Sequence, residues 1–257
     1  MNPTYHAISL SMLCIALVLS SCSKQDSVLD QFEDKLVIDA TLEVGKTISD
    51  IHAHSLLGMG NEEDISNLEI VISNCSHSVV LTEDPKNKGH YYGPEDFVIS
   101  PLMEYSIKTN YKDAEITASS TSPPEMEALQ TSKEFIEADI QGDLVFLTWS
   151  ALNTGSFKEY FYIVELVPLD EDAEMIMRFS GSEQKSTVVS FNPELTLSID
   201  DFNFYGDHLI KVYAMSNTYE HLFTPQTNIT DNGPTNIDGA YGYFIASSVI
   251  ETTLEIR

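Results

Sequence analysis

The segment Asp50-Ile51-His52-Ala53-His54 comes closest to chemistry in its residue types and spacing. On a strand, alternate side chains share a face, so Asp50, His52 and His54 would point the same way. Imidazole and carboxylate are zinc ligands, and a His-X-His pair at a strand end suits a metal-dependent hydrolase. Such barrel enzymes need alternating strands and helices, which this chain lacks, and no fourth ligand is identifiable. A solvated strand face accounts for the same residues, so the expectation is no metal and no cofactor. Acidic clusters at Glu62-Glu63-Asp64, Asp170-Glu171-Asp172 and Asp200-Asp201 offer oxygens of the kind calcium prefers. The loop from Asn228 to Gly233 has a superficial calcium-loop look, but its twelfth position is Gly239 rather than Glu. Solvated loops on an acidic surface are the expected state of all of these. Aromatic groups at Tyr91-Tyr92, Phe202-Phe204-Tyr205 and Tyr241-Tyr243-Phe244 could stack on sugars, but in a β-sandwich alternating aromatics are core. No Gly-X-Ser-X-Gly elbow, phosphate loop or His-Glu-X-X-His occurs, and the chain is expected not to be an enzyme.

One further residue carries chemistry of another kind. Cys22 ends the run Ala16-Leu17-Val18-Leu19-Ser20-Ser21-Cys22, behind the apolar, uncharged segment Ala7–Leu19. That is a lipobox: an aliphatic residue three before the cysteine, small residues between, then the thiol that takes a diacylglyceryl group. The apolar stretch is shorter than the roughly 20 residues a spanning helix needs and fits a signal h-region. Its n-region, Met1 to His6, has no Lys or Arg, so the free amine is its only positive group. Lipidation at Cys22 would add three acyl chains, where one alone holds a membrane only marginally. Residues 1–21 therefore read as a signal peptide, and 22–34 as a polar lipidated tether. Within that tether Asp26-Ser27-Val28 resembles a periplasmic O-glycosylation signal, and a plain solvated linker explains it equally.

Charge narrows the partners. Lys plus Arg is 13 and Asp plus Glu is 40, a net charge of −27. A chain this acidic repels nucleic acid and anionic head groups, and no basic stripe offsets it. Hydrophobic residues make up 42% of the chain, enough for folded domains rather than disorder. With Cys14 in the signal and Cys22 lipidated, Cys75 has no disulfide partner. It lies beside Leu68-Glu69-Ile70-Val71-Ile72 and reads as a small core residue.

The elements that must position these groups are strands. Short apolar-polar alternations separated by Gly, Asn, Asp and Pro run along the chain, so the fold is expected to be all-β, two β-sandwiches. Residues 35–124 read as an Ig-like sandwich. Leu36, Ile38, Ala40, Leu42 and Val44 share one face of its opening strand, and Ser122-Pro123-Pro124 marks its end. Residues 125–136 read as a linker or short helix. Residues 137–257 read as a fibronectin type III-like sandwich. Val145–Trp149, Tyr160–Leu166 and His208–Ser216 resemble its strands B, C and F, with Trp149 at the core tryptophan and His208 where tyrosine is usual.

The lipobox, the opening strand Leu36-Val37-Ile38-Asp39-Ala40, the two sandwiches and the tail Thr235–Ser248 together resemble one family. The tail contributes Asn236-Ile237, Gly239, then Gly242-Tyr243-Phe244 and small residues. The chain is similar to Bacteroidetes lipoproteins grouped as domain of unknown function 4249, which are typically encoded beside TonB-dependent receptors. That resemblance implies an outer-membrane, lipid-anchored binding or accessory protein working with a TonB-dependent transporter in nutrient uptake. It implies no catalytic residues. The tail glycines are expected to serve tight turns or close backbone approach. Two other roles stay open: a fimbrial or adhesin subunit donating its first or last strand, and a metal-dependent hydrolase through His52 and His54.

Overall fold

Leu36, Ile38, Ala40 and Leu42 are buried while Asp39 and Thr41 between them are half-exposed, and this period of two builds β1 (Lys35–Glu43). The same rule builds the rest of a computed structural model that describes residues 35–257 apart from 50, 58–60, 141, 151, 153–158, 171, 177–186 and 224–234. The signal 1–21, the tether 22–34 with Cys22, Asp50 and the loop 228–233 lie outside the described residues. Among those described, no helix is long and apolar enough to cross a membrane.

The first sandwich follows β1 with β2 (Ile51–Leu57), β3 (Asn61–Asp64), β4 (Val71–Ser73), β5 (Ser78–Val80), β6 (Thr82–Glu83) and β7 (His90–Tyr92). It ends with the hairpin β8 (Glu104–Tyr111) and β9 (Ala114–Thr121). One sheet runs β1-β2-β7-β6 and the other β5-β4-β8-β9. That is the Ig arrangement of A-B-E-D facing C′-C-F-G. Ile38, Ile51, Ile72, Tyr91, Tyr105, Ile107 and Ile116 fill the space between the sheets.

The second sandwich contains β10 (Gln130–Thr131), β11 (Phe135–Ile136), β12 (Leu144–Thr148), β13 (Tyr160–Pro168), β14 (Thr187–Ser190), β15 (Glu194–Ser198), β16 (Gly206–Ser216) and β17 (Tyr241–Ile256). Its sheets are β10-β12-β15 and β14-β13-β16-β17. The segment 125–136 holds two short strands rather than a helix, behind an irregular stretch 125–129 in which Ala128 takes φ +58°. β10 pairs with β12 and β11 pairs with β17, so this stretch changes sheets as the first strand of the sandwich. Trp149 is buried and meets the Tyr162 ring edge-on at 5.2 Å, among Val145, Leu147, Val164, Val212 and Ala214. The fold is thus all-β, with one Ig-like and one fibronectin type III-like sandwich.

The last strand belongs to both halves. β17 is 16 residues long, about 50 Å at strand rise, enough to serve two sandwiches. Its first part pairs in parallel with β1, from Val37 opposite Tyr241 to Glu43 opposite Ser247. Its second part pairs antiparallel with β16, from Met215 opposite Ser247 to Gly206 opposite Ile256. Phe244 and Ala246 lie in the first core and Leu254 and Ile256 in the second. The expected division assigns 137–257 wholly to the second sandwich; residues 237–246 instead pack against the first. The physical reason is β1, whose outer edge would otherwise leave unpaired backbone groups.

Candidate functional site

Strand register, not sequence proximity, assembles the most chemically loaded group in the described structure. Asp39 on β1 stands opposite His52 on β2, and His52 stands opposite His90 on β7. Two residues along β2, His54 stands opposite Asp64 on β3. Ile38, Ala40, Ile51, Ala53 and Tyr91 face the core, so alternation puts Asp39, His52, His54 and His90 on the outer side of the same sheet. The His52 ring stacks on His90 at 4.4 Å and lies 4.6 Å from the ring of His54. One ligand atom each from Asp39, His52 and His54 lies within 4.8 Å of the other two.

Polar pairing within the group is uneven. A carboxylate only accepts, so His52 Nε2–H donates to Asp64 Oδ1 (2.9 Å), and the other nitrogen of a neutral ring keeps its lone pair. That hydrogen bond, with the neighbouring imidazoles, holds the Asp64 carboxyl below the usual range. His54 is only 5% exposed, and its buried Nδ1 has no hydrogen-bond partner. Leaving such an atom unpaired costs about 1–3 kcal/mol. A solvated strand face therefore fails as a description of His54. Asp50, grouped with the histidines in sequence, lies outside the described residues. Asp39, Asp64 and His90 come from other strands, and only the pairing register reveals them.

The C-terminal motif is absorbed by the fold. Asn236 mimics a strand partner for one residue: its Nδ2 donates to the Phe244 carbonyl (2.7 Å), and its Oδ1 accepts from the Phe244 N–H (2.9 Å). Gly242 has φ +89°, and a Cβ there would stand 2.2 Å from the Ile38 carbonyl oxygen. At Gly239 (φ +83°) a Cβ would stand 2.7 Å from the Glu115 carbonyl oxygen. Both glycines thus serve close backbone approach. Ile237, Gly239 and Tyr241 also line, with Lys35 and Tyr111, a concavity of about 620 Å³ at the start of β1. Lys35 Nζ donates to Tyr241 Oη there (3.0 Å).

The remaining candidates have structural explanations. Asp201 Oδ2 accepts from Ser198 N–H (2.8 Å) and caps the turn Ile199–Asp201. Asp170 Oδ1 accepts from Asp172 N–H (3.0 Å). Tyr91, Phe202 and Phe244 are core residues, whereas Tyr92 is exposed. Cys75 is exposed and free rather than a core residue. It sits in a tight turn where Asn74 Oδ1 accepts from Ser76 and His77 N–H, which carries the chain outward past the end of β4. Its Sγ is 3.6 Å from Met103 Sδ.

A family model described as domain of unknown function (DUF4249) matches residues 23–253. No curated protein matches the chain. Among solved structures, a two fibronectin type-III domain segment from chicken tenascin aligns at 12% identity and TM-score 0.25, covering 86% of this chain and 98% of that one. The titin domains z1z2 in complex with telethonin align at 11% identity and TM-score 0.21, over 88% and 95% of the two chains.

Proposed function

This chain belongs to the DUF4249 family, and from that premise we propose that it is a lipid-anchored cell-envelope binding and accessory protein, the partner of a TonB-dependent outer-membrane transporter in nutrient uptake. The observation that carries the reading is the extent of the match, which begins at residue 23, directly after Cys22. The family unit is then the polypeptide that follows the lipobox, and the acyl chains on Cys22 hold it at the outer membrane. Two sandwiches joined through one strand form a body suited to presenting a surface to a membrane partner. The net charge of −27 opposes nucleic acid and anionic head groups as partners. A fimbrial role would need a strand to exchange, and β17 is already paired with β1, β11 and β16 of its own chain.

Extraction of native membranes in mild detergent tests this. A β-barrel protein is expected to co-purify with the wild-type chain. Cys22→Ala is expected to leave the membrane fraction and lose that partner. A wild-type chain that is monomeric and partnerless, or a Cys22→Ala chain that stays membrane-bound, would overturn the proposal.

A further inference from the structure

We propose that Asp39, His52 and His54 bind a divalent first-row transition metal ion of the zinc class on the outer face of the first sandwich. The backbone sets the ligands: Asp39 and His52 are directly opposed across the β1–β2 pair, and His54 follows two residues along β2. Zinc holds nitrogen and oxygen ligands at about 2.0–2.2 Å, which places tetrahedral ligand atoms roughly 3.3 Å apart. The three atoms here already lie within 4.8 Å of one another. Closing that margin falls to the half-exposed Asp39 and His52, while the buried His54 stands as the fixed post.

The surroundings favour a metal over a plain stack of rings. Asp64 accepts from His52 Nε2–H (2.9 Å). Ligating histidines commonly show this outer carboxylate, which orients the ring and turns its other nitrogen toward the ion. His54 brings a buried nitrogen with no partner in the protein. Two imidazoles and one carboxylate suit zinc, nickel or copper and are poor in the oxygens calcium requires. Three protein ligands leave a fourth position for water or an external donor, while the His90 ring stacks on His52 from the β7 side, across β2 from Asp39. This site stands independently of the membrane reading.

Chelator-stripped protein titrated with cobalt(II), then zinc, provides the test. The expected result is one equivalent of cobalt with the visible absorption of tetrahedral coordination, displaced by zinc, and a higher melting temperature with either ion. Asp39→Asn and His52→Ala should each weaken uptake at least tenfold, and Asp64→Asn should weaken it about 10–100-fold. His77→Ala, on the exposed turn after β4, should bind as wild type. Far-UV circular dichroism verifies that each variant is folded, and Asp39→Asn changes no buried volume. No stoichiometric cobalt or zinc uptake by the wild type would overturn the proposal. So would uptake unchanged in the Asp39→Asn/His52→Ala double variant.

Discussion

His208 is the third residue of β16, where the fibronectin-like sequence pattern would place a tyrosine. It is 2% exposed, meets Phe202 edge-on at 5.0 Å, and Nδ1–H donates to the Gly206 carbonyl at 3.0 Å. Burial is the largest influence on its titration and pushes the pKa below 6.5; the Gly206 bond and neighbouring Asp207 oppose it more weakly. A histidine that protonates more readily when unfolded destabilises the native state as the medium acidifies. The stability it permits is complete above about pH 6.5 and falls as pH drops below that value toward the folded pKa. Urea unfolding at pH 7.5 and 5.5 should therefore show a loss in the wild type that is smaller in His208→Phe. Equal losses in the two proteins would show that His208 does not titrate between the states. His54, the other buried histidine with a described environment, shows the opposite economy: its Nδ1 is left unpaired, the kind of deficit a bound ion removes.

At the scale of elements, the junction of β1 with β17 depends on one residue lacking a side chain. An alanine at Gly242 would set a Cβ 2.2 Å from the Ile38 carbonyl oxygen, on a backbone with φ +89°. Neither clash nor strain can relax without parting the two strands. Gly242→Ala should lose roughly 3 kcal/mol or more in a denaturant melt. Gly45→Ala is the control: its φ is +81° but nothing lies within 4 Å of the added carbon, so about 1 kcal/mol is expected. Similar losses at both positions would mean that conformation alone, not the approach to β1, requires Gly242. The tail glycines were legible in the sequence as a need for close approach, though not as an approach to β1. The same limit explains what else was readable. Alternation within one strand identifies β1, β8, β12, β13 and β16 and the faces of Trp149, Tyr162 and Val212. It carries no information on which strands become neighbours, so Asp39, Asp64 and His90 could not be joined to His52 and His54. Cys75 follows a short apolar run, and only the Asn74 turn shows that the chain has already left the core. The stretch 125–136, legible as a linker or short helix, contributes the short strands 130–131 and 135–136 because pairing to β12 and β17 outweighs a weak local preference.

For the whole molecule, a shared strand couples two cores that a division by sequence would treat separately. Phe244 is fully buried in the first core, while Ser248, four residues later, accepts the Met126 N–H at the second. Ser120 Oγ, on β9, accepts the Ala246 N–H (2.9 Å) and fastens β17 to the first half, while Tyr219 Oη, just after β16, donates to the Ser119 carbonyl (3.0 Å) and ties the second half to it. Unfolding the first sandwich must release Tyr241–Ser247 from β1, and that release strips the support from the strand completing the second. The chain has a single tryptophan, Trp149, which lies in the second core, so its fluorescence follows that half alone. Phe244→Ala truncates a first-core side chain and should cost about 3–5 kcal/mol. If the halves are coupled, the Trp149 fluorescence melt should shift down together with the far-UV circular dichroism melt, by roughly 10 °C at about 2–4 °C per kcal/mol for a protein of this size. A Trp149 transition unmoved by Phe244→Ala, or two separate calorimetric transitions in the wild type, would show that β17 only touches the first sandwich. A coupled response makes the pair one cooperative unit, so that a ligand on the outer face of β1 and β2 or a partner at the start of β1 would stabilise both halves by mass action.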